Sequence, residues 1–420
     1  MDTDELVTAV KDGDLRLHEL EQRADADVAT AARRQLLADE TSADLDTVGA
    51  YAFDAATAEP NIENMVGAAQ VPMGVVGPVA IDGGAVDGEP YLPLATTEGA
   101  LVASVNRGCA AIRAAGGATA RVLKNAMTRA PVFRVEDVAE ASETAAWVKD
   151  NVDRLAATAE STTSHGELRD VTPYVVGDSV FLRFAYDTKD AMGMNMATIA
   201  TEEACEAVEA ETPADLVALS GNLCSDKKPA AINSIEGRGR TVAADVSIPR
   251  EVVKSYFGTT PEAISEANTR KNLIGSAKAG ALGFNAHAAN TVAAAFLATG
   301  QDIAQVVEGS NAITTADARG GGSTSDASGA ASDANESGGD LYASLTIASL
   351  ELGTVGGGTK LPTQHEALDI VGVRGGGDPP GVNANALAEI ITTAALAGEL
   401  SLLGALASNH LASAHEELGR

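Results

Sequence analysis

The chain has 420 residues, more than one hydrophobic core usually holds, so its length implies several domains. Against 59 acidic residues it carries only 29 basic ones, and the formal charge of -30 excludes nucleic acid and anionic membranes as partners. Such a surface repels itself unless counter-ions screen it, which points to a medium of high salt.

The first residues, MDTDELVTAVKDGDL, are polar and acidic, unlike a signal peptide. Acidic and Leu/Ala-rich positions then alternate at helical period, predicting a small helical domain over residues 1–62. At Glu63 the texture changes to Gly, Pro and Val in ENMVGAAQVPMGVVGPVAI, which suits tight turns and strands. Between 131 and 218 the patterning predicts strand 132–135, helix 139–157, strand 168–176, strand 179–186, helix 192–210 and strand 216–219. This βαββαβ order is that of a ferredoxin-like unit, read as a domain inserted into a larger one built from 63–130 and 219–420. The Gly/Ser/Asp-rich segment 319–340 has too little apolar side chain to pack and reads as a solvated loop. From Ala384 to Leu418 an Ala/Leu pattern predicts one or two packed helices. Its most apolar stretch contains Glu399 and His410, so no membrane span is expected and the chain reads as cytoplasmic.

Aromatic residues make up only 3% of the chain, so Ala, Val, Leu and Ile must form the core, and helices can approach closely. Cys109, Cys205 and Cys224 lack disulfide-framework or zinc spacing, and His410 and His415 are too far out of phase to share a helix face; no metal is expected. Neither GxGxxG, GxxxxGK[ST] nor HExxH occurs. What remains are glycine-punctuated stretches with isolated ionisable groups. In SGNLCSDKKPAAINSIEGRG, Asp226, Lys227 and Lys228 form either an exposed charged turn or a site for charge developing on a carbonyl oxygen. In TTEGALVASVNRGC, Thr96 or Thr97 is expected to cap a helix whose first turn holds Glu98, as dipole partner or general acid. Asp302 in GQDIAQVVE reads first as a helix N-cap. His415 is an exposed polar residue or a proton donor to a leaving thiolate. DAMGMNM begins a helix of the inserted unit, where free N–H groups suit a phosphate.

Taken in order, ENMVGAAQVPMGVVGP, TTEGALVASVNRGC, DAMGMNM, SGNLCSDKKPAAINSIEGRG, KNLIGSAKAGALGFNAHAAN, GQD, ELGTVGGGT and HLASAH resemble the catalytic domain of 3-hydroxy-3-methylglutaryl-CoA (HMG-CoA) reductases of the eukaryotic and archaeal class. With the acidic composition, the resemblance points to a halophilic archaeal member. It implies an α+β fold: a large substrate-binding α/β domain around a central helix, an inserted ferredoxin-like NADP-binding domain and a small N-terminal helical domain. It further implies NADPH as cofactor, HMG-CoA as substrate with coenzyme A as part of it, no metal, and a homo-oligomer assembled as a dimer of dimers with active sites at the dimer interface. Glu98, Lys227, Asp302 and His415 fall on the family's catalytic positions. Arg129, Ser220, Asn222, Asp226, Lys228, Lys271 and Asn290 fall on its substrate-contacting positions. Asp190, Met192, Gly193, Met194, Asn195 and Gly356 fall on its cofactor-binding stretches.

The chain departs from the family where eukaryotic members place Ser-Arg-Phe for the adenosine phosphate. Here Thr163, Ser164 and His165 stand, without an Arg to clamp a 2′-phosphate, which leaves the strictness of NADPH over NADH open. One rival reading is the degradative bacterial class running the reaction backwards with NAD, but its active-site Lys lies in a motif other than DKKPAAIN. Another is acyl transfer with Cys109 or Cys224 as nucleophile. From the composition, activity should fall below about 1 M salt, where charge screening weakens; full activity in dilute buffer would contradict the halophilic reading.

Overall fold

The computed structural model describes residues 1–320 and 338–408. Its N-terminal part is helical, as the periodicity predicts. Helix Thr3–Lys11 opens with a capping box in which Asp2 accepts from the Glu5 N–H and Glu5 reciprocates. Together with Leu17–Gln22 and Ala26–Thr41 it encloses Leu6, Leu20, Ala29 and Ala32. Arg33, almost fully buried there, is neutralised by a two-pronged pair with Glu21 at 2.6 and 2.5 Å.

Beyond this cap runs a mixed, largely antiparallel sheet in the order Ala312–Arg319, Asp340–Leu350, Arg238–Ile248, Ala118–Arg129, Ser179–Asp187, Val132–Arg134, Asp215–Ala218. Strand Ala118–Arg129 spans two regions. Thr119 to Ala126 pair with Arg238–Ile248, while Met127 to Arg129 pair with Ser179–Asp187. On the far side of that handover, Glu167–Val176, Ser179–Asp187, Val132–Arg134 and Asp215–Ala218 lie antiparallel in the strand order of a ferredoxin-like unit. Its helices bury Phe133, Val148, Leu155, Phe184 and Cys205 in a cluster separate from the main core. The helix expected over 139–157 is broken into Val138–Asp150 and Val152–Glu160. Asn151 causes the break: it leaves helical geometry, and its side chain donates to the Trp147 carbonyl at 2.8 Å, competing with the helix ladder.

The main core surrounds helix Val382–Ala407. This helix is long and apolar enough to cross a membrane, yet 83% of its most apolar window is buried inside the fold. Two of its buried residues are carboxylates, and each is satisfied by backbone N–H groups. Glu389 accepts from Gly84 and Ala85 at 3.0 and 2.9 Å, and Glu399 from Ala286 and His287, both at 2.6 Å. Helix Leu101–Ala114 crosses it at Gly108, where a Cβ would stand 2.0 Å from the Ala397 carbonyl oxygen. Gly108→Val should therefore separate the two helices and cost about 2–4 kcal/mol, read as a lower thermal midpoint; an unchanged midpoint would contradict this packing.

Candidate functional site

Three glycine-punctuated stretches far apart in sequence meet in one cleft of about 590 Å³. It is lined by Ala191 to Met196, Gly300 to Asp302, and Gly353 with Val355 to Thr359. Backbone bonds join them: the Thr354 N–H donates to the Asp190 carbonyl at 2.8 Å, and Ala191 bridges Val355. The Gln301 side chain adds an amide pair, donating to and accepting from the Gly353 backbone at 2.9 Å each way. Such approaches require glycine. A Cβ on Gly353 would lie 2.4 Å from the Met192 nitrogen, and one on Gly300 2.4 Å from the Gly358 carbonyl oxygen. Behind the cleft, Arg240 donates to the Lys189 carbonyl, to the Leu352 carbonyl at 3.0 Å and to Asn385 at 2.7 Å. Burial lowers its guanidinium to about 10, so it remains a cation at neutral pH.

Helix Met194–Glu211 begins at the cleft with Gly193 in left-handed geometry and no side-chain cap. Its first-turn N–H groups are thus left for a ligand, and the positive end of the helix dipole favours an anion. Met192, Gly193, Met194, Asn195 and Gly356 all line this space, and among the described residues, its chain neighbours aside, nothing lies within 4 Å of where a Cβ on Gly356 would stand. Asp190 lies behind it. Its buried carboxylate accepts from the backbone of Gly377, Gly381 and Ala384 at 2.9, 2.7 and 3.1 Å, anchoring the loop to the start of the central helix.

Asp302 belongs to the cleft and to a second feature, the turn carrying Lys227. The Lys227 ammonium donates to Asp302 at 2.9 Å. That bond, working against partial burial, holds the ammonium above its ordinary value. Asp302 also caps Ile303–Gln305 by accepting from Ala304, the role its sequence context predicts. The turn is strained: Asn222, Ser225 and Lys227 have φ of 62, 47 and 57°, each costing on the order of 1 kcal/mol for a residue with a side chain. It is held from below by Asn233 on the Ser225 carbonyl at 3.0 Å and by Asp226, which pairs with Arg238 at 3.1 Å and accepts from Gln305 at 2.9 Å. Burial raises Asp226, but Arg238, Gln305 and Lys227 outweigh it and keep it ionised. Lys228 donates to the Asp226 carbonyl at 2.9 Å and is otherwise exposed, as are Ser220 and Asn222.

Glu98 stands apart from this turn. Helix Leu101–Ala114 starts three residues later than expected, with Ala100 in left-handed geometry at its N-cap. Thr96 does not cap it; its hydroxyl instead accepts from the Glu98 N–H at 3.0 Å, a local turn that competes with helix initiation. The Glu98 carboxylate accepts from Asn290 at 3.2 Å, and Asn290 faces Nδ1 of His287 at 3.4 Å. His287 bonds the Gly398 carbonyl through Nε2 at 2.9 Å, so Nε2 carries the proton and Nδ1 accepts. That order turns the Asn290 amide so that its NH₂ meets Glu98. Among the described residues no hydrogen bond joins Glu98 to Lys227 or Asp302.

Arg129 is fixed to the cleft helix through Thr198 at 2.6 Å, and Thr198 in turn bonds the Met194 carbonyl. Lys271 sits in a π-helical stretch, Asn268–Gly275, exposed and without an ion pair among the described residues. Thr163, Ser164 and His165 form a turn next to the same cleft helix, since a Cβ on Gly166 would meet the Met196 sulfur at 2.5 Å. His415 and most of the 319–340 loop lie outside the described residues. All three cysteines are buried, and burial pushes the Cys109 thiol up to about 12, which argues against it as a nucleophile. Sequence reasoning did not single out Gln301, Arg238, Glu351, Gln305 or His287. The one available signal was an isolated carboxylate closing the apolar strand run LTIASLE.

The family described as hydroxymethylglutaryl-coenzyme A reductase matches residues 29–420. The chain is 68% identical over 419 residues to the 3-hydroxy-3-methylglutaryl-coenzyme A reductase of Haloferax volcanii, covering 100% of both. It is 69% identical over 420 residues to that of Halobacterium salinarum, covering 100% of this chain and 99% of the relative. A solved class II 3-hydroxy-3-methylglutaryl-CoA reductase from Streptococcus pneumoniae, bound to NADPH in open conformations, shares the fold. The match has a TM-score of 0.66 at 20% identity and covers 89% of this chain and 86% of that one.

Proposed function

The chain belongs to the hydroxymethylglutaryl-coenzyme A reductase family, oxidoreductases of the mevalonate route to isoprenoids, and on that premise we propose how its residues divide the work. The reaction is (S)-HMG-CoA with two NADPH and two protons giving mevalonate, CoA and two NADP⁺. The observation that carries the reading is the Lys227–Asp302 pair, whose Asp302 also lines the glycine-built cleft, so that a cation for developing negative charge adjoins a space for a nicotinamide.

The cleft fits that cofactor: an uncapped helix start for its phosphates, and open space over Gly356 where a flat ring can lie against backbone. Bound NADPH supplies the two hydrides. Lys227 stabilises the oxyanion that forms at the thioester carbonyl, and Asp302 keeps the ammonium charged and aimed. His415 protonates the departing CoA thiolate, and Glu98, oriented by Asn290, gives a proton to the aldehyde oxygen in the second reduction. Arg129, Ser220, Asn222, Asp226, Lys228 and Lys271 contribute to holding the acyl-CoA, whose polyanionic carrier needs the few cations this acidic chain possesses.

We further infer the division into a helical domain 1–62, a catalytic domain 63–130 with 219–420, and a cofactor domain 131–218. That Glu98 bonds Asn290 and Lys227 bonds Asp302, with no hydrogen bond between the two among the described residues, fits an active site completed by a second copy, in a dimer or a dimer of dimers acting in the cytoplasm. Without an Arg at Thr163–His165, the preference for NADPH over NADH should be weaker than an Arg clamp would give.

In high-salt buffer the protein should consume two NADPH for each CoA released from HMG-CoA. Lys227→Ala should lower kcat by about 10²–10³, the loss typical of removing one oxyanion-stabilising group. Absence of oxidation with either NADPH or NADH would overturn the assignment, and a fully active Lys227→Ala variant would overturn the role of Lys227.

A further inference from the structure

Beneath the Lys227 turn, behind Asp226, lie buried charges that the reaction scheme above does not use. Arg238, at the start of strand Arg238–Ile248, is fully buried. Its Nη1 meets Asp226 at 3.1 Å, Glu351 at 3.0 Å and Gln305 at 3.1 Å, while Nη2 meets the Met194 sulfur at 2.9 Å. One guanidinium therefore touches the turn that carries Lys227, the strand end leading into the TVGGGT loop, the short helix behind Asp302 and the first turn of the cleft helix. It joins the two halves of the site.

The charges around it do not balance. Facing Arg238 are Asp226, Glu351 and, from segment Val306–Gly309, the buried Glu308, whose Oε1 accepts from the Lys228 N–H at 3.3 Å. Cys224, also buried, lies on the same side. Two further cations stand near: Lys227 is paired with Asp302, and the buried Arg183 donates to the Gly237 carbonyl at 2.6 Å and, among the described residues, bonds none of these carboxylates. Glu351 has 0% exposure; its Oε2, the Glu308 Oε2 and the Arg238 Nε find no hydrogen-bond partner among the described residues. Arg238 alone pairs among these carboxylates, of which Glu308 and Glu351 are fully buried and Asp226 is 24% exposed; one cation does not compensate three anions there, so at least one carries a proton. Glu351 is the one. Burial pushes it up to about 8, with Glu308 and Asp226 adding to the shift and Arg238 opposing it; burial also raises Glu308, but that carboxylate accepts from the Lys228 N–H, and Asp226 is lowered.

We propose that Arg238 and Glu351 are a positioning pair for the reduction: with Glu351 as a neutral acid, Arg238 is left to Asp226 and holds the strained turn that aims Lys227 at the substrate. Ionisation of Glu351 gives Arg238 a second full anion to satisfy on the same nitrogen. Its grip on Asp226 weakens, and a turn with three side-chain-bearing residues at positive φ relaxes. Neither residue touches substrate; both act through Asp226 and Lys227. The sign follows: the aimed state prevails below about pH 8 and is lost as pH rises through the ionisation of Glu351. Lys227 cannot produce that limb, because Asp302 holds it above the ordinary lysine value.

The inference rests on Lys227 serving the reduction, and the test separates the two. The kcat for HMG-CoA reduction is measured from about pH 6 to 10 in high salt for the parent, Glu351→Gln and Glu308→Gln, with thermal midpoints alongside. The parent should turn over at neutral pH and lose about tenfold in kcat for each unit above the ionisation. Glu351→Gln, which keeps a neutral partner for Arg238, should stay within about twofold of the parent at neutral pH and move the alkaline limb up by at least about one unit. Glu308→Gln, which removes a like charge facing Glu351, should move the limb down. A merely structural carboxyl would lower the midpoint and raise KM alike at every pH while leaving the limb in place. An unmoved limb in Glu351→Gln, no limb near that pH in the parent, or a folded but inactive Glu351→Gln overturns the pair while the reductase reading stands. If Glu351→Gln does not fold, an unmoved limb in Glu308→Gln overturns it. No turnover by the parent at any pH overturns both.

Discussion

A helix as apolar as Val382–Ala407 can be buried with Glu389 and Glu399 inside it only if the desolvation of those carboxylates is offset where they sit. The offset comes from backbone N–H groups of loops, and this requirement positions much of the active region. Glu399 fixes Ala286 and His287; His287 then sets the amide of Asn290, and Asn290 meets Glu98. At the other end of the helix, Asp190 performs the reverse service, supplying the carboxylate that three N–H groups around the helix start require. The stretch following Asp190 is the cleft wall. Both Glu98 and the cleft wall are thus referenced to one rigid element.

The second constraint is closeness. A chain with 3% aromatic residues cannot fill space with large rings and instead brings backbones together. Gly108 lets two core helices touch, and Gly353, Gly300 and Gly358 let three loops share one wall. Gly108, Gly353 and Gly358 are there for closeness, whereas Gly300, Gly193 and Gly356 also supply positive-φ backbone. Electrostatics completes the picture. In a molecule of formal charge -30, Lys227, Lys228, Arg129 and Arg238 gather around one turn and one helix start, an arrangement that a polyanionic ligand needs and that the rest of the surface opposes.

Much of this was legible in the sequence. The inserted βαββαβ unit follows from period-two and period-3.6 patterning, and its strand order emerges as expected. Alone, the DKK stretch reads as an exposed charged turn or an oxyanion site and the Asp302 of GQD as a helix cap; their order together with TVGGGT and the other motifs, in the likeness to HMG-CoA reductases, is what marks them. What escaped was decided by three-dimensional partners. Thr96 has the chemistry of a helix cap, but its hydroxyl is taken by the Glu98 N–H. Asp190 sits in a cofactor motif yet serves the central helix from behind. Arg238 and Glu351 look like ordinary charged residues at strand ends until the fold buries them together. No periodicity reports a contact between positions 113 residues apart.

If the Lys227 turn and the glycine-built cleft serve as one site, the ammonium lies on the reacting carbonyl and the nicotinamide against Gly356. The most direct measurement is a crystal structure of the protein with HMG-CoA and NADP⁺ bound. The account predicts Lys227 Nζ at about 3 Å from the thioester oxygen, with the pyrophosphate at the start of helix Met194–Glu211. A thioester lying beyond the reach of Lys227, or a dinucleotide bound outside the cleft, would contradict it.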